Sequence, residues 1–279
     1  MQYDPIKKSL GRVFNRTPFL RILFYRLLDL LLLRAWHVRK EIRKWAGSET
    51  GADRRRKRYI LDAGSGFGQY TYLLSGLSPA WFIDAVDVKE EQIADCNAFF
   101  NRIGRKNVLF EQADLTRFIR PDRFDLILSV DVMEHIADDE AVFRNFFDSL
   151  TQGGMLLVST PSDQGGSDVH DHEEGGSFID EHVRDGYGME EIREKLHRAG
   201  FSETEARYAY GRPGRIAWRL SMKYPILMLN ASRLLFILLP FYYLVAYPVA
   251  FVCNWLDTVM KHESGTGLVV KAWKGRLDM

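Results

Sequence analysis

The sequence predicts an α/β fold built on a mainly parallel sheet. From Tyr59 onward, short apolar runs alternate with helix-like segments, a pattern typical of successive βα units. A glycine-rich turn directly follows the first apolar run, as it does where a parallel strand turns into its helix. The chain has 279 residues and is 46% hydrophobic, which is enough apolar material for one full core.

Seven strands are predicted, with helices between them. The strands are Tyr59–Asp62, Trp81–Val86 (followed by Asp87), Val108–Phe110, Phe124–Ser129, Gly154–Ser159, Phe201–Tyr210 and Gly267–Lys274. The helices cover Gln69–Leu77, Glu90–Ile103 and Glu190–Ala199. The last of them stops before a glycine, a common C-terminal signal of a helix.

Two segments lie outside this α/β pattern. The first is an apolar, arginine-dotted helix from about Thr17 to Trp45, and the second is an insertion between the sixth and seventh strands. We therefore divide the chain into four parts: an N-terminal helical arm (1–50), the core (51–211), a hydrophobic helical insertion (212–262) and the final strand of the core (263–279).

Charge is unevenly distributed, although the net charge is only +1. Residues 1–58 hold 16 Lys/Arg against 5 Asp/Glu, so the rest of the chain is acidic. A basic arm on an acidic body favours an anionic partner surface, with phospholipid headgroups more consistent than nucleic acid.

Cysteine usage indicates a reducing compartment, because Cys96 and Cys253 fall in separate helix-like segments and form no framework of paired cysteines. No secretory signal is expected, since the first apolar run, Ile22–Leu33, contains charges and lacks a small-residue cleavage site.

The glycine-rich turn has the pattern Asp-x-Gly-x-Gly-x-Gly over Asp62–Gly68. Glycines let the backbone turn tightly and approach a ligand without a Cβ in the way. Dinucleotide sites instead use Gly-x-Gly-x-x-Gly, with a pyrophosphate at the helix N-terminus. The acid before the first glycine would repel a pyrophosphate and suits a ligand that carries positive charge.

Two further acids follow neighbouring strands. Asp87 closes the second strand, where a carboxylate can accept hydrogen bonds from both ribose hydroxyls of a nucleoside. Asp114 follows the third strand and is placed to accept from an adenine amino group. The alternatives are structural: Asp62 as a helix cap and Asp87 as a strand end.

Residues 59–160 resemble the class I S-adenosylmethionine-dependent methyltransferases, within them the small-molecule branch that includes ubiquinone and menaquinone methylases. The resemblance covers about residues 59–211 and 264–275 and leaves out the arm and the insertion. Its motifs are Asp62–Gly68, Ala85–Val88, Ala113–Leu115, Phe124–Ile136, Gly153-Gly154 and the C-terminal strand. It implies a Rossmann-like sheet of seven strands, with the last strand antiparallel and beside the sixth.

The same resemblance implies the cofactor S-adenosyl-L-methionine. The residues expected to bind it are Asp62, Gly64, Ser65, Gly66, Gly68, Asp87, Val88, Asp114, Leu115 and Val130.

Three residues are candidates for contact with the acceptor or for catalysis. The resemblance places the loop after the fourth strand beside the reactive methyl group, so His135 is a candidate general base; its alternative role is a structural hydrogen bond. His182 and Tyr187, at the entrance to the helix at Glu190, are the other two candidates.

A cluster of acidic and histidine side chains precedes His182. Asp168, His170, Asp171, His172, Glu173 and Glu174 lie between two glycine pairs. Their spacing matches no closed metal site, so no metal is predicted and a solvated lid over the acceptor is the simpler interpretation.

The insertion is expected to contact a membrane without crossing it. Leu234–Leu256 is uncharged over 23 residues, which is long enough for one crossing. If the sixth and seventh strands are neighbours, however, the insertion must leave and return on the same side. An in-plane or re-entrant helical pair satisfies both facts, and the alternatives are an acceptor-binding cap or a dimer contact.

The sequence thus predicts methyl transfer to an oxygen, or less readily a carbon, of an amphipathic or lipid-like small molecule. The enzyme would lie on the cytoplasmic face of a membrane, peripheral or monotopic, with an undetermined oligomeric state. Two alternatives remain: a soluble methyltransferase of small metabolites with the insertion as a cap, and a cofactor-binding membrane adaptor without turnover.

Overall fold

The computed structural model describes residues 17–47, 56–165 and 183–275. The acidic and histidine cluster at 168–174 and the candidate His182 lie outside these residues, as do parts of the basic arm before residue 17 and between residues 48 and 55.

The predicted α/β sheet is confirmed. The strands are β1 (Arg58–Ala63), β2 (Trp81–Asp87), β3 (Val108–Gln112), β4 (Phe124–Val130), β5 (Leu150–Pro161), β6 (Glu203–Ala209) and β7 (Gly267–Trp273). They form one sheet in the order β3-β2-β1-β4-β5-β7-β6. Strand β7 pairs antiparallel with both β5 and β6, while the pairs among β1 to β5 are parallel, as predicted.

Three of the four helices between these strands agree with the prediction to within one residue at each end, and the helix Asp139–Ser149 was not predicted. The four helices are α3 (Gln69–Leu77), α4 (Glu90–Arg102), α5 (Asp139–Ser149) and α6 (Met189–Arg198). Adjacent residues of β1 point to opposite faces: Leu61 joins the apolar cluster that contains residues of α5 and α6, and Ile60 joins a second cluster on the other face. Strands buried on both faces read as continuous apolar runs, which is why the sequence located them well.

Strand limits differ where tertiary packing overrides the local pattern. β5 begins at Leu150, four residues earlier than predicted, because Leu150 also pairs with Phe124. β6 begins at Glu203, after Phe201, whose ring is buried in the core against Phe147.

The N-terminal arm is two helices, so the prediction of one helix from Thr17 to Trp45 is wrong. They are α1 (Pro18–Leu31) and α2 (Leu33–Gly47), and Leu32 between them has an extended conformation (φ −91°, ψ 114°). Leucine favours helices, so the break has no local cause. It is imposed by packing, because α2 lies against one sheet face while α1 reaches the glycine-rich turn.

A buried arginine holds α1 in place. Arg21 is 2% exposed and donates to Asp95 Oδ2 at 2.6 Å and to the Phe67 carbonyl oxygen at 2.9 Å. A charge buried this deeply is tolerated only when it is paired and hydrogen-bonded. The arm is therefore part of the folded core.

The insertion consists of α7 (Arg212–Trp218), a π-helical turn (Arg219–Lys223), α8 (Tyr224–Ala231), a 3-10 segment (Arg233–Leu238) and α9 (Leu239–Val259). Helix α9 packs on α7 and on the π-helical turn. Among the described residues, Leu234–Val259 is the one helical stretch that is long and apolar enough to cross a membrane. The insertion as a whole follows Ala209 and precedes Gly267, and these two residues are paired in β6 and β7.

The sheet register decides where the insertion emerges. Gly267 also pairs with Pro161, the last residue of β5. Since β5 runs parallel to β4, β1 and β2, the insertion begins and ends at the edge where these parallel strands end. This is the edge that carries the glycine-rich turn.

A buried carboxylate joins the insertion to the arm. Asp257 of α9 is fully buried; its Oδ1 accepts from the Tyr210 amide, its Oδ2 accepts from the Gly214 amide, and it contacts His37 Nε2 at 2.8 Å. Arg207 lies 2.9 Å from the other ring nitrogen, Nδ1 of His37. Arginine can only donate, so Nδ1 accepts and the buried ring is neutral with its proton on Nε2.

This arrangement predicts a loss of stability in acid. Burial lowers the pKa of His37 below its usual value near 6.5. As the pH falls through about 6.5, the unfolded chain binds a proton at His37 that the folded chain excludes, so the free energy of unfolding decreases. The amide of His37→Gln can make both hydrogen bonds without titrating. We therefore expect the free energy of unfolding of this variant, measured with urea, to depend less on pH than that of the wild type between about pH 5 and 6.5.

The control is His197→Gln, at an exposed position of α6, which should keep the wild-type slope. Equal slopes for the wild type and His37→Gln would contradict the neutral buried ring.

Candidate functional site

The candidate site is built on the glycine-rich turn between β1 and α3. The amides of Gly64 and Ser65 both donate to the carbonyl oxygen of Val86 at 2.9 Å, which fixes the turn to the end of β2. Gly64 has φ 78°, and a Cβ at this position would lie 2.3 Å from a methyl group of Val132. Gly68, with φ 76°, precedes α3 and packs against Phe100. The turn therefore needs glycine for its conformation and for close approach.

Asp87 lies at the mouth of the turn, as the sequence predicted. Its Oδ2 accepts from the Gly66 amide at 2.9 Å and its Oδ1 accepts from the Lys89 amide at 3.0 Å. A carboxylate has about four acceptor positions, so both oxygens can still accept from a diol. The side chain is held in one orientation beside the turn.

Asp62 occupies a different place from the one expected. It is 3% exposed and accepts a hydrogen bond from the Thr71 hydroxyl at 2.5 Å, beneath the turn. Burial raises the pKa of Asp62 to about 6. Sequence analysis expected Asp62 to contact a cationic ligand directly. The structure corrects this expectation, because the buried carboxyl supports α3 from inside the fold.

The remaining predicted binding residues follow β2, β3 and β4 at the same edge. Asp114 is exposed, and its Oδ1 accepts from the Thr116 amide and hydroxyl, which lower the pKa of Asp114. Val88 is 57% exposed beside it. Leu115 is buried in the core, so its backbone alone can face a ligand. Val130 ends β4 and is half-buried.

Two buried hydroxyl groups at the turn lack a hydrogen-bond partner. They are Ser65 Oγ, within the turn, and the Tyr70 hydroxyl, at the start of α3. Buried polar groups are nearly always satisfied, so these two hydroxyls are available to bond to a polar ligand at the turn. The turn, Asp87 and these hydroxyls together fit a nucleoside with a charged tail.

The candidate base lies on the loop after β4. His135 is exposed and ends a short 3-10 helix (Met133–His135). Its neighbour Glu134 is buried, accepts from the Thr160 hydroxyl at 3.1 Å, and has a pKa raised by burial. His135 thus stays in reach of an acceptor while Glu134 anchors the loop to β5.

Tyr187 does not have the predicted role. It is fully buried, and its hydroxyl donates to Asp139 Oδ2 at 2.6 Å, with the Met133 carbonyl oxygen 3.1 Å away. Burial raises the pKa of Tyr187. The side chain packs between α5 and the loop after β4, so it cannot contact an acceptor. Within the described residues no group of three or more His, Cys, Asp or Glu side chains could hold a metal.

Sequence reasoning missed three residues at this edge. Arg34 of α2 forms an ion pair with Asp131, the residue after β4, and its amide donates to the Tyr210 hydroxyl at 3.0 Å. Asp131 and Tyr210 have positive φ angles of 52° and 58°, which non-glycine residues seldom adopt outside constrained sites. The signal was weak in sequence because Arg34 is distant along the chain and its contact depends on the break at Leu32.

Comparisons with known proteins agree with this geometry. Residues 55–200 match a family model described as a methyltransferase domain. The chain is 33% identical over 149 residues to a phosphoethanolamine N-methyltransferase of Triticum aestivum, covering 53% of this chain and 28% of that protein. It is 34% identical over 111 residues to a malonyl-[acyl-carrier protein] O-methyltransferase of Bacillus anthracis, covering 40% of each chain. The matches thus span less than half of these relatives.

Solved structures share the fold at low sequence identity. Phosphoethanolamine N-methyltransferase 2 of Haemonchus contortus, in complex with phosphomonomethylethanolamine and S-adenosylhomocysteine, superposes with a TM-score of 0.60 at 16% identity, covering 98% of this chain and 61% of that one. The [4+2]-cyclase SpnF superposes with a TM-score of 0.54 at 16% identity, covering 84% and 81%. These likenesses concern the fold alone.

The turn geometry generates a test of the site. Gly64→Ala places a methyl group on the Val132 side chain and adds left-handed strain, so we expect a loss of about 2–4 kcal/mol in the free energy of unfolding, measured with urea. The matched control is Gly66→Ala, which also has positive φ (50°) but meets no atom within 4 Å and should cost only about 1 kcal/mol. Equal losses would contradict the close packing of Gly64 on Val132.

Proposed function

Since the chain belongs to the S-adenosylmethionine-dependent methyltransferases, we propose that it methylates an oxygen of an amphipathic, lipid-like small molecule at a membrane surface. The observation that carries this proposal is the shared sheet edge: the glycine-rich turn, Asp87 and the apolar insertion all lie where the parallel strands end. An acceptor that arrives along the insertion would meet the site directly.

The cofactor supplies an electrophilic methyl group on its sulfonium. The residues that fit it are the turn Gly64–Gly68, with the unpartnered Ser65 hydroxyl, and Asp87, which is oriented to accept from ribose hydroxyls. Asp114 and the backbone beside Leu115 and Val88 line the next strand ends. These groups fix the donor, and methyl transfer mainly requires that the acceptor be held in line with it.

His135 is proposed to take the proton of an acceptor hydroxyl. It lies on the loop that follows β4 and Asp131, and its side chain is exposed. Glu134 and its hydrogen bond with Thr160 keep this loop in place, so the imidazole is presented without itself being buried. Imidazole is the side chain that most often serves as a general base.

The insertion exposes an unusually apolar surface. Leu234, Phe236, Ile237, Phe241, Leu244 and Val245 are between 67% and 77% exposed. A contiguous exposed apolar surface of this kind marks an interaction site. Basic side chains stand at the other end of the insertion, where Arg212, Arg215 and Arg219 are exposed. Exposed apolar side chains in one part of the insertion, together with exposed arginines in another, support contact with an anionic membrane surface.

The described part of the basic arm contributes less charge to that surface than expected. Arg21 is buried, Arg34 and Arg39 form ion pairs with Asp131 and Asp29, and Lys40 donates to the Thr258 carbonyl oxygen. Arg26 and Arg43 are exposed. Of the seven basic side chains in residues 17–47, Arg21, Arg34, Arg39 and Lys40 therefore contact acceptors within the fold.

Membrane crossing by the insertion is disfavoured by the sheet. Ala209 and Gly267 are paired, so a single crossing would separate two hydrogen-bonded strands. A peripheral or monotopic enzyme, with its site open to the cytoplasm, is compatible with both the apolar surface and this topology.

A second candidate function is methylation of a small polar metabolite. It is supported by the relatives, whose names specify phosphoethanolamine and carrier-bound malonate. In that case the insertion would cover the acceptor instead of meeting a membrane.

A transfer assay tests the proposal. The full chain is incubated with S-adenosylmethionine labelled in its methyl group and an extract of cellular lipids, and label is followed into the organic phase. We expect methylated lipid, a rate lowered about 100-fold by His135→Ala, and S-adenosylhomocysteine affinity little changed in that variant. Asp87→Ala should weaken S-adenosylhomocysteine binding at least about tenfold, measured by calorimetry.

Label found only in polar metabolites would favour the second candidate. Cofactor binding with no transfer to either phase would favour a membrane adaptor without turnover. Unchanged affinity in Asp87→Ala would contradict the ribose assignment.

Vesicle flotation tests the membrane contact. The wild type should float with phosphatidylcholine–phosphatidylserine vesicles and remain bound in high salt, because salt screens only the electrostatic share of binding. The double variant Leu244→Glu/Val245→Glu should stay at the bottom of the gradient. The matched control, Leu109→Glu/Ile119→Glu, alters two exposed apolar residues outside the insertion and should float. A wild type that remains free of vesicles would contradict the membrane contact.

A further inference from the structure

The ion pair between Arg34 and Asp131 lies at the sheet edge that carries the candidate site. Arg34 is the second residue of α2, and Asp131 directly follows β4. Both side chains remain partly accessible, at 37% and 31% exposure. An ion pair this open contributes little to stability, so stability alone does not account for it.

The backbone around this pair is strained. Asp131 and Tyr210 both have positive φ, and both contact Arg34, one through its guanidinium and the other through its amide. Such conformations cost about 1–3 kcal/mol each and persist where the surroundings impose them, most often at ligand sites. Asp131 also precedes Val132, the residue packed on Gly64. The ion pair is therefore adjacent to the glycine-rich turn.

Unsatisfied polar groups border the same place. The Tyr70 hydroxyl and Arg34 Nε are buried and have no hydrogen-bond partner. Tyr70 interacts electrostatically with Arg34, which places the two groups in one neighbourhood. Two buried donors without acceptors indicate an anionic group that belongs between them.

Asp62 cannot supply the negative charge that a cationic group at the turn requires. It is buried beneath the turn and engaged with the Thr71 hydroxyl. Asp131 is an accessible carboxylate that precedes Val132, the residue packed on Gly64. The arrangement thus presents one cation and one anion side by side, with extra donors on the side of the cation.

We infer that Arg34 and Asp131 bind the amino-acid end of the cofactor, with Arg34 and Tyr70 receiving its carboxylate and Asp131 its ammonium group. The pair opens when the zwitterion enters, and each side chain exchanges its partner for the opposite charge of the ligand. This inference rests on the proposed function for the identity of the cofactor. Arg34 lies outside the matched family region, so the N-terminal arm completes a site that the core alone leaves open.

Calorimetry with two ligands tests the inference. S-adenosylhomocysteine carries the amino-acid end, and 5′-methylthioadenosine lacks it while keeping the nucleoside and the thioether. Arg34→Gln should weaken S-adenosylhomocysteine binding by at least about tenfold, because a charge-assisted hydrogen bond is lost, and should change 5′-methylthioadenosine binding less than about twofold. Asp131→Asn should show the same selectivity.

The control variant is Arg39→Gln. Arg39 lies on the same helix and pairs with Asp29, away from Asp131, so its loss should leave the ratio of the two affinities unchanged. The double variant Arg34→Gln/Asp131→Asn separates the roles further. If the pair only held α2 in place, the double variant would leave no unpaired charge and would bind S-adenosylhomocysteine better than the single variants do. A ligand role requires the double variant to bind S-adenosylhomocysteine no better than either single variant.

Equal weakening of both ligands by Arg34→Gln, or no weakening of either, would overturn the inference. A wild type that binds 5′-methylthioadenosine and S-adenosylhomocysteine equally would overturn it as well, while leaving the nucleoside site in place. Failure of the wild type to bind either ligand would instead contradict the assignment of S-adenosylmethionine as the cofactor.

Discussion

The antiparallel insertion of β7 between β5 and β6 is the constraint on which the arrangement of this molecule depends. Because β7 is antiparallel to both neighbours, it starts, at Gly267, at the edge of the sheet where β5 and β6 end. The 57 residues between β6 and β7 must therefore leave and return at that edge. The parallel strands end at the same edge: the glycine-rich turn follows β1, Asp87 ends β2, and the loop that contains His135 follows β4. One pairing rule thus brings the nucleoside site and the apolar insertion together.

The N-terminal arm depends on that arrangement and stabilises it in turn. Over little more than one turn of α2, Arg34 contacts Asp131 at the sheet edge, Trp36 packs on Phe251 of the insertion with ring centroids 4.9 Å apart, and His37 contacts Asp257. Buried charges of this kind are costly unless every group has a partner. Here Arg207 and the Tyr210 and Gly214 amides supply those partners, so arm, core and insertion fold as one unit.

The nucleoside site could be located from the sequence because its determinants are local. Gly64, Gly66 and Gly68 follow an apolar run, and Asp87 closes the next one, so strand period and turn chemistry were sufficient to place them at one edge. The same reasoning erred at Asp62 and Tyr187. A side chain near a loop points to the ligand or to the core, and that choice depends on partners such as Thr71 and Asp139 that are distant in sequence or on another face.

The sequence by itself determined the order of helices and strands, the edge of the sheet that carries the site, and the apolar character of the insertion, because each follows from hydrophobic periodicity and glycine placement over short windows. Only the tertiary structure decided the break at Leu32, the burial of Arg21 and the meeting of Arg34 with Asp131. These features join residues up to about a hundred positions apart, and their free energy comes from desolvated contacts that exist only once the sheet has formed. For the same reason, the sequence could not show that Arg21, Arg34, Arg39 and Lys40 of the described arm contact acceptors inside the fold.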